Sequence, residues 1–118
     1  MRRLLFNPLD QEPYASGEYN PSTKYFLLDK PLVYGLYLCV MHVELAEAEI
    51  NTYTSLLNCD TNNISKEALE YDVLFNCDNT KYKMYLTNGD LQTVIVRNTD
   101  GSILDTSYNY KIYFYKVF

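Results

Sequence analysis

All four prolines of this 118-residue chain, Pro8, Pro13, Pro21 and Pro31, fall within the first 31 residues. Each proline fixes its own φ, lacks an N–H and pushes the preceding residue out of the α region. A segment punctuated in this way cannot form a helix interior or a central strand. The spacing predicts an extended arm over residues 1–31, irregular across 7–23 with a short strand near 24–28, followed by one α+β domain over 32–118. The arm's backbone polar groups need partners. Its Leu4, Leu5, Phe6, Tyr14 and Tyr19 amount to more apolar surface than is left in water without consequence. These five are the first candidate partner-binding residues.

A helical period dominates the middle of the chain. Val43, Ala46, Ile50, Tyr53 and Leu57 recur at 3-4-3-4 spacing, with Glu44, Glu47, Asn51, Thr54 and Asn58 between them, the signature of an amphipathic helix. Upstream, Leu32 to Met41 is apolar on every face, and periodicity alone does not separate a buried strand from a buried helix there. Asp29 and Pro31 resemble a capped first turn, and no turn residue occurs between Leu36 and Ile50. The expectation is one long helix over about 31–58, roughly 40 Å at 1.5 Å per residue. Ser65 caps a second, short helix ending near Tyr71, with Ile64 and Leu69 as its staple. A strand is expected from Asp72 to Asn76.

The last forty residues read as an antiparallel meander of the expected four- to five-stranded sheet. Asn88-Gly89 is a strong hairpin signal, since both turn positions need positive φ. Counting outward from it pairs Leu86 with Leu91, Met84 with Thr93 and Tyr82 with Ile95. Asp100-Gly101 turns the chain again toward Ser102–Asp105, and Tyr108 to Phe118 forms the last strand. That strand carries aromatics on both faces, so it is expected to be covered on both. Tyr85, Tyr113 and Tyr115 complete the candidate partner-binding set, because tyrosine gives large amphipathic contact area at low entropy cost.

A 118-residue chain with 47% hydrophobic residues can bury a core without a metal or a disulfide. Its net charge of −5 is unevenly spread. Residues 44–79 hold eight acids and only Lys66, whereas 80–118 hold three acids and five bases. No basic face capable of displacing counterions from phosphates is visible, so nucleic acid is not an expected partner. The longest apolar run, Pro31 to Met41, is too short to span a bilayer. The apolar stretch after Arg2-Arg3 ends at Pro8 and Asp10, unlike a secretory leader. Three cysteines without a Cys-x-x-Cys spacing suit a reducing compartment. The expected location is cytoplasmic.

Chemistry has few candidates. On a helix Cys39 and His42 would share a face, as a Cys–His nucleophile pair requires, but the apolar context predicts a structural histidine. Cys39, His42, Cys59 and Cys77 supply four zinc ligands on paper, with spacings unlike a zinc fold. The echo of Leu56-Leu57-Asn58-Cys59-Asp60 in Leu74-Phe75-Asn76-Cys77-Asp78 raises a Cys59–Cys77 disulfide, though two elements each ending in an Asn/Asp turn explain it as well. Glu44 and Glu47, one helical turn apart, read as solvated charges. No phosphate-binding or nucleophile-elbow motif occurs. No catalytic residue, metal or cofactor is assigned.

Arg3-Leu4-Leu5-Phe6 resembles the short cyclin-docking pattern, although four positions recur often by chance. The reading is a non-enzymatic protein-binding or assembly protein whose partner is another protein or a second copy of itself. Thirteen tyrosines, no tryptophan and abundant asparagine suggest an AT-rich coding source, hence a viral or mobile-element particle component or an inhibitor of a host protein. The alternative is a small-ligand module with a pocket between helix and sheet, near Cys39, His42 and Tyr82.

Overall fold

In a computed structural model, residues 12–45, 49–59, 72–75, 80–86 and 91–117 are described. Among them there is no helix. They form eight strands: β1 (Ala15–Asn20), β2 (Tyr25–Leu27), β3 (Gly35–Glu44), β4 (Ile50–Cys59), β5 (Asp72–Phe75), β6 (Thr80–Leu86), β7 (Thr93–Asn98) and β8 (Asn109–Lys116). All neighbours pair antiparallel, in the ring order β1-β2-β7-β6-β5-β4-β3-β8, and β8 closes back on β1. The sheet is strongly curled, and among the described residues its thinnest seam is β4–β5. Among the described residues that seam is held by the single pair Thr54↔Phe75.

The long helix expected over 31–58 is therefore a β-hairpin. β3 and β4 pair over their full lengths, from Gly35↔Cys59 to Glu44↔Ile50, and Leu45 N–H donates to Glu49 O at 2.7 Å beside the turn. Burial follows period two: Tyr37, Cys39, Met41 and Val43 point inward from β3, and Tyr53, Leu57 and Cys59 from β4. Val43, Tyr53 and Leu57 fit both the helical and the strand period, whereas Ile50, assigned to the helix core, is 53% exposed. The run Asn51-Thr52-Tyr53-Thr54-Ser55 favours strand over helix, because β-branched and aromatic side chains fit a pleated surface. The turn at 45–49 carries no Gly, Pro or Asn, so the reversal left no mark in the sequence. The α+β class is thus corrected to all-β over the described residues.

The N-terminal arm is corrected too. Within 1–31, β1 and β2 are staves of the same barrel, with Ala15↔Phe114 and Gly17↔Ile112 against β8 and Phe26↔Val94 against β7. Proline does not prevent this, since Pro13 precedes β1 and Pro21 sits in the turn between β1 and β2. Asn20 organises that turn: its carbonyl accepts from Lys24 N at 2.7 Å and its Oδ1 from Ser22 N at 2.8 Å, with Lys24 in the left-handed region. The expected short helix over 65–71 and the Asn88-Gly89 turn lie outside the described residues.

The C-terminal meander is present, with a changed register. Leu86 pairs with Val94, Tyr85 with Ile95 and Met84 with Val96, three residues from the count made outward from Asn88-Gly89. Val94 and Val96 are buried with Met84, so inward packing of two β-branched residues sets the register and the two-residue loop does not. The turn at Asp100-Gly101 is as expected: Gly101 has φ 91° and its N–H donates to Asn98 O at 2.8 Å. Ser102–Asp105 is not a strand. β8 buries Tyr110, Ile112 and Phe114, while Lys111, Tyr113 and Tyr115 are half-buried on the other side.

Both ends of the barrel are crossed by chain. At one end residues 28–34 insert Leu28 and Leu32, tied down by Leu28 N–H to Gln92 O (2.9 Å) and Leu32 N–H to Leu91 O (2.8 Å). Residues 99–108 cross the other end and insert Leu104, 1% exposed. Among the described residues there is no helix against which a helix–sheet pocket could form, and the buried side chains pack into one core.

Gly17 marks the tightest approach. A Cβ there would sit 2.6 Å from Leu27 O, a backbone atom that cannot swing aside. We expect Gly17→Ala to lower unfolding free energy by about 1–3 kcal/mol in urea titration; an unchanged midpoint would mean that β1 and the end of β2 are not this close.

Candidate interaction surface

The same alternation that fills the barrel fixes what its outer wall displays. Across β8, β3 and β4, Tyr115, Leu38 and Leu56 are direct register partners in one row; Tyr113, Val40 and Thr54 form the next, and Lys111, His42 and Thr52 the third. Leu56 is 60% exposed, and Leu36, Leu38, Val40, Tyr113 and Tyr115 are half-buried. Two rows of leucine, valine and tyrosine therefore meet solvent on three adjacent strands. The third row is polar. The His42 ring lies 5.3 Å from that of Tyr113, and Lys111 Nζ is 3.5 Å from Glu44 Oε2. Glu18, exposed on β1, stands opposite Lys111.

The residues singled out from the sequence are divided by this wall. Tyr113 and Tyr115 share the outer patch. Tyr14 and Tyr19 belong to the rim of the interior. Tyr14 meets Tyr37 edge-on at 5.9 Å and lies under Lys30 Nζ at 4.1 Å, and its N–H donates to Phe114 O. Tyr19 packs on Phe26 at 5.3 Å and Tyr110 at 5.5 Å. Leu4, Leu5, Phe6 and the side chain of Tyr85 lie outside the described residues. Sequence reasoning missed Leu38, Val40 and Leu56. For Leu38 and Val40 the signal was present as a stretch apolar on every face, which a strand satisfies by being apolar inside and outside at once.

The Cys–His pair is taken apart. Three residues along a strand place side chains on opposite faces, so Cys39 is buried inside with Sγ 3.4 Å from Met84 Sδ, while His42 is outside. The zinc set separates for the same reason: Cys39 and Cys59 are interior, His42 exterior, and Cys77 lies outside the described residues. Among the described residues, no group of three or more His, Cys, Asp or Glu could hold a metal ion. Glu44 is engaged with Lys111, and Glu47 lies outside the described residues.

Inside, tyrosines supply bulk and satisfy polar ends. Tyr37 OH donates to Val33 O at 2.7 Å and accepts from Val33 N at 3.0 Å, pinning the segment that crosses one end. Tyr110 OH donates to Asp105 O at 2.8 Å and pins the other. Tyr53 and Tyr82 meet edge-on at 4.8 Å. Burial, reinforced by Tyr53, pushes the Tyr82 phenol up to about 12. Burial also raises Tyr110, Tyr19 and Tyr37. On the outer wall Tyr115 is raised as well, by burial and then by Tyr113 beside it.

Comparison with known proteins finds no match: no family model fits the chain, and no curated protein or solved structure resembles it.

The raised phenols have a consequence for alkaline stability. A group whose pKa is higher in the fold contributes stability that is fully present below its unfolded value and lost as pH rises through the folded one. For Tyr82 the loss falls between its ordinary value of 10.0 and about 12. Chemical denaturation should show stability falling above about pH 10, with Tyr82→Phe making that fall shallower; an identical slope in the variant would contradict the burial of Tyr82.

Proposed function

We propose that this chain is a non-enzymatic protein-binding protein and that its partner docks on the outer wall of β8, β3 and β4. The observation that carries the reading is the row Tyr115–Leu38–Leu56, three large side chains in direct register on the solvent side of a barrel whose core is already complete. Fully burying one such side chain contributes about 1.5–3 kcal/mol. The wall therefore holds enough apolar surface to anchor a partner, and the half-buried tyrosines add hydroxyls that tolerate water when it is empty. The third row, with Lys111, His42 and Thr52, and Glu44 beyond it would form the polar rim found around such patches.

Other features agree with this reading. The separation of Cys39 from His42 removes the best catalytic candidate. The buried Cys39 and Cys59 thiols suit the reducing environment of a cytoplasm. An excess of five negative charges disfavours a nucleic acid partner. Among the described residues no helix is long and apolar enough to cross a membrane.

The test is a comparison of what is retained by wild type, by Leu56→Asp and by a control at the far turn, Ser22→Asp. Leu56 is solvent-exposed, so the first variant should keep the wild-type melting temperature. Proteins captured by wild type and control should be lost with Leu56→Asp by about tenfold or more. Equal capture by all three would overturn the assignment of this wall.

A further inference from the structure

We infer that residues 1–11 dock on the β8–β3–β4 wall of their own chain through Leu4, Leu5, Phe6 and Leu9, and that a protein partner must displace them to bind. The inference rests on the reading that this wall binds protein, and it adds the regulation of that wall. Residues 1–11 lie outside the described residues, so their sequence and the point where they join the barrel identify them as the occupant.

That junction lies beside the apolar part of the wall. Tyr14 N–H donates to Phe114 O at 2.7 Å, and the Tyr14 ring meets that of Tyr37. The chain therefore enters β1 against the last residues of β8 and near the first residues of β3. The outer wall is apolar at this end. Val117 N–H donates to Leu36 O, both side chains are half-buried, and Tyr115–Leu38–Leu56 is the next outward row. The polar row Lys111–His42–Thr52 stands toward the opposite end.

Reach and composition both fit. Neighbouring strands lie about 4.8 Å apart, so β4 is about 14 Å from β1 across β8 and β3. Extended chain covers about 3.3 Å per residue, which gives Leu9 a reach of about 17 Å from Tyr14 and Phe6 about 26 Å. Four of the six residues from Leu4 to Leu9 are large and apolar, and such a segment covers an apolar face without any charge pairing. Residues 60–71 follow Cys59 at the same end, but they carry Asp60, Glu67 and Glu70, with only Ile64 and Leu69 as large aliphatics. A tether this short holds its segment at an effective concentration on the order of millimolar, so a weak contact suffices to seat it. A partner then meets only the fraction of chains whose wall is vacant. A segment seated about nine-tenths of the time weakens the partner's apparent affinity about tenfold.

NMR of the full chain, with leucine and valine methyls labelled, tests the docking. Leu38, Val40 and Leu56 should show NOEs to the Phe6 ring that persist unchanged on dilution. Their shifts should move when Leu5→Asp and Phe6→Asp are introduced together. That double variant should also bind the protein captured by the wall about tenfold more tightly than wild type. In a mixture of labelled and unlabelled chains, NOEs crossing between chains would overturn docking in cis in favour of a second copy. NOEs from Ile64 or Leu69 in place of Phe6, or none from residues 1–11, would overturn it as well. Docking with no gain in binding by the double variant would overturn the competition. The two readings fail separately. If the segment is absent from the wall while Leu56→Asp still loses the captured protein, this inference alone is wrong. If the NOEs are present while Leu56→Asp retains every captured protein, the wall only seats the segment, and both partner binding and the competition are wrong.

Discussion

Everything in this barrel leans on the double ladder of β3. From Tyr37 to Glu44 each residue of β3 is paired with β4 on one side and β8 on the other. With both flanks occupied, the strand cannot slip by one residue without turning Tyr37, Cys39, Met41 and Val43 outward together. Those four are all 2% exposed or less, so a slip would return a large part of the core to water. The register of β3 fixes that of β8, and β8 in turn fixes β1 through Ala15↔Phe114.

The chain solves a second problem with tyrosine. A small barrel without tryptophan must fill its lumen and also close its ends, where backbone leaves the sheet and loses its ladder partners. Phenols do both. Tyr37 and Tyr110 place their rings in the core and their hydroxyls on the backbone of the two crossing segments, at Val33 and Asp105. Leu32 and Leu104 then seat as plugs. Replacing either phenol by phenylalanine would keep the volume and release the segment, so these hydroxyls act as fasteners.

Sequence patterning made parts of this legible and hid others for identifiable reasons. The strands after Asp72, the turn at Gly101 and the inward set Tyr110, Ile112 and Phe114 follow from period two and from positive φ. The β3–β4 hairpin was hidden because Val43, Tyr53 and Leu57 satisfy 3.6 and 2.0 periods alike, and because Glu-Ala-Glu-Ala-type residues at its turn favour helix locally. Over 12–31 the arm was misjudged because prolines exclude only positions within a ladder, and Pro13, Pro21 and Pro31 fall outside the strands. Of the candidate partner residues, Tyr113 and Tyr115 were legible as sharing one face of the last strand, though that face was expected to be covered. Tyr14 and Tyr19 were misplaced with the arm, and Leu38 and Leu56 were concealed on the faces of a helix that does not form.

The ambiguity at 32–41 is itself informative. A segment apolar on every face is ordinarily a strand covered on both sides, as in the parallel sheets of layered folds. β3 has that composition, with Tyr37, Cys39, Met41 and Val43 inward and Leu36, Leu38 and Val40 outward. A barrel wall, however, is one layer thick and supplies cover only from within. Such a strand with only its inner face fully buried is a sequence written for two layers in a fold that provides one. β8 repeats the pattern with Tyr113 and Tyr115 outside, and β4 with Leu56. Three neighbouring strands, all carrying apolar side chains on the solvent face, define a surface that a second layer would complete. The composition that defeats helix-or-strand assignment is therefore the same composition that leaves this wall apolar, which is the feature the proposed docking rests on.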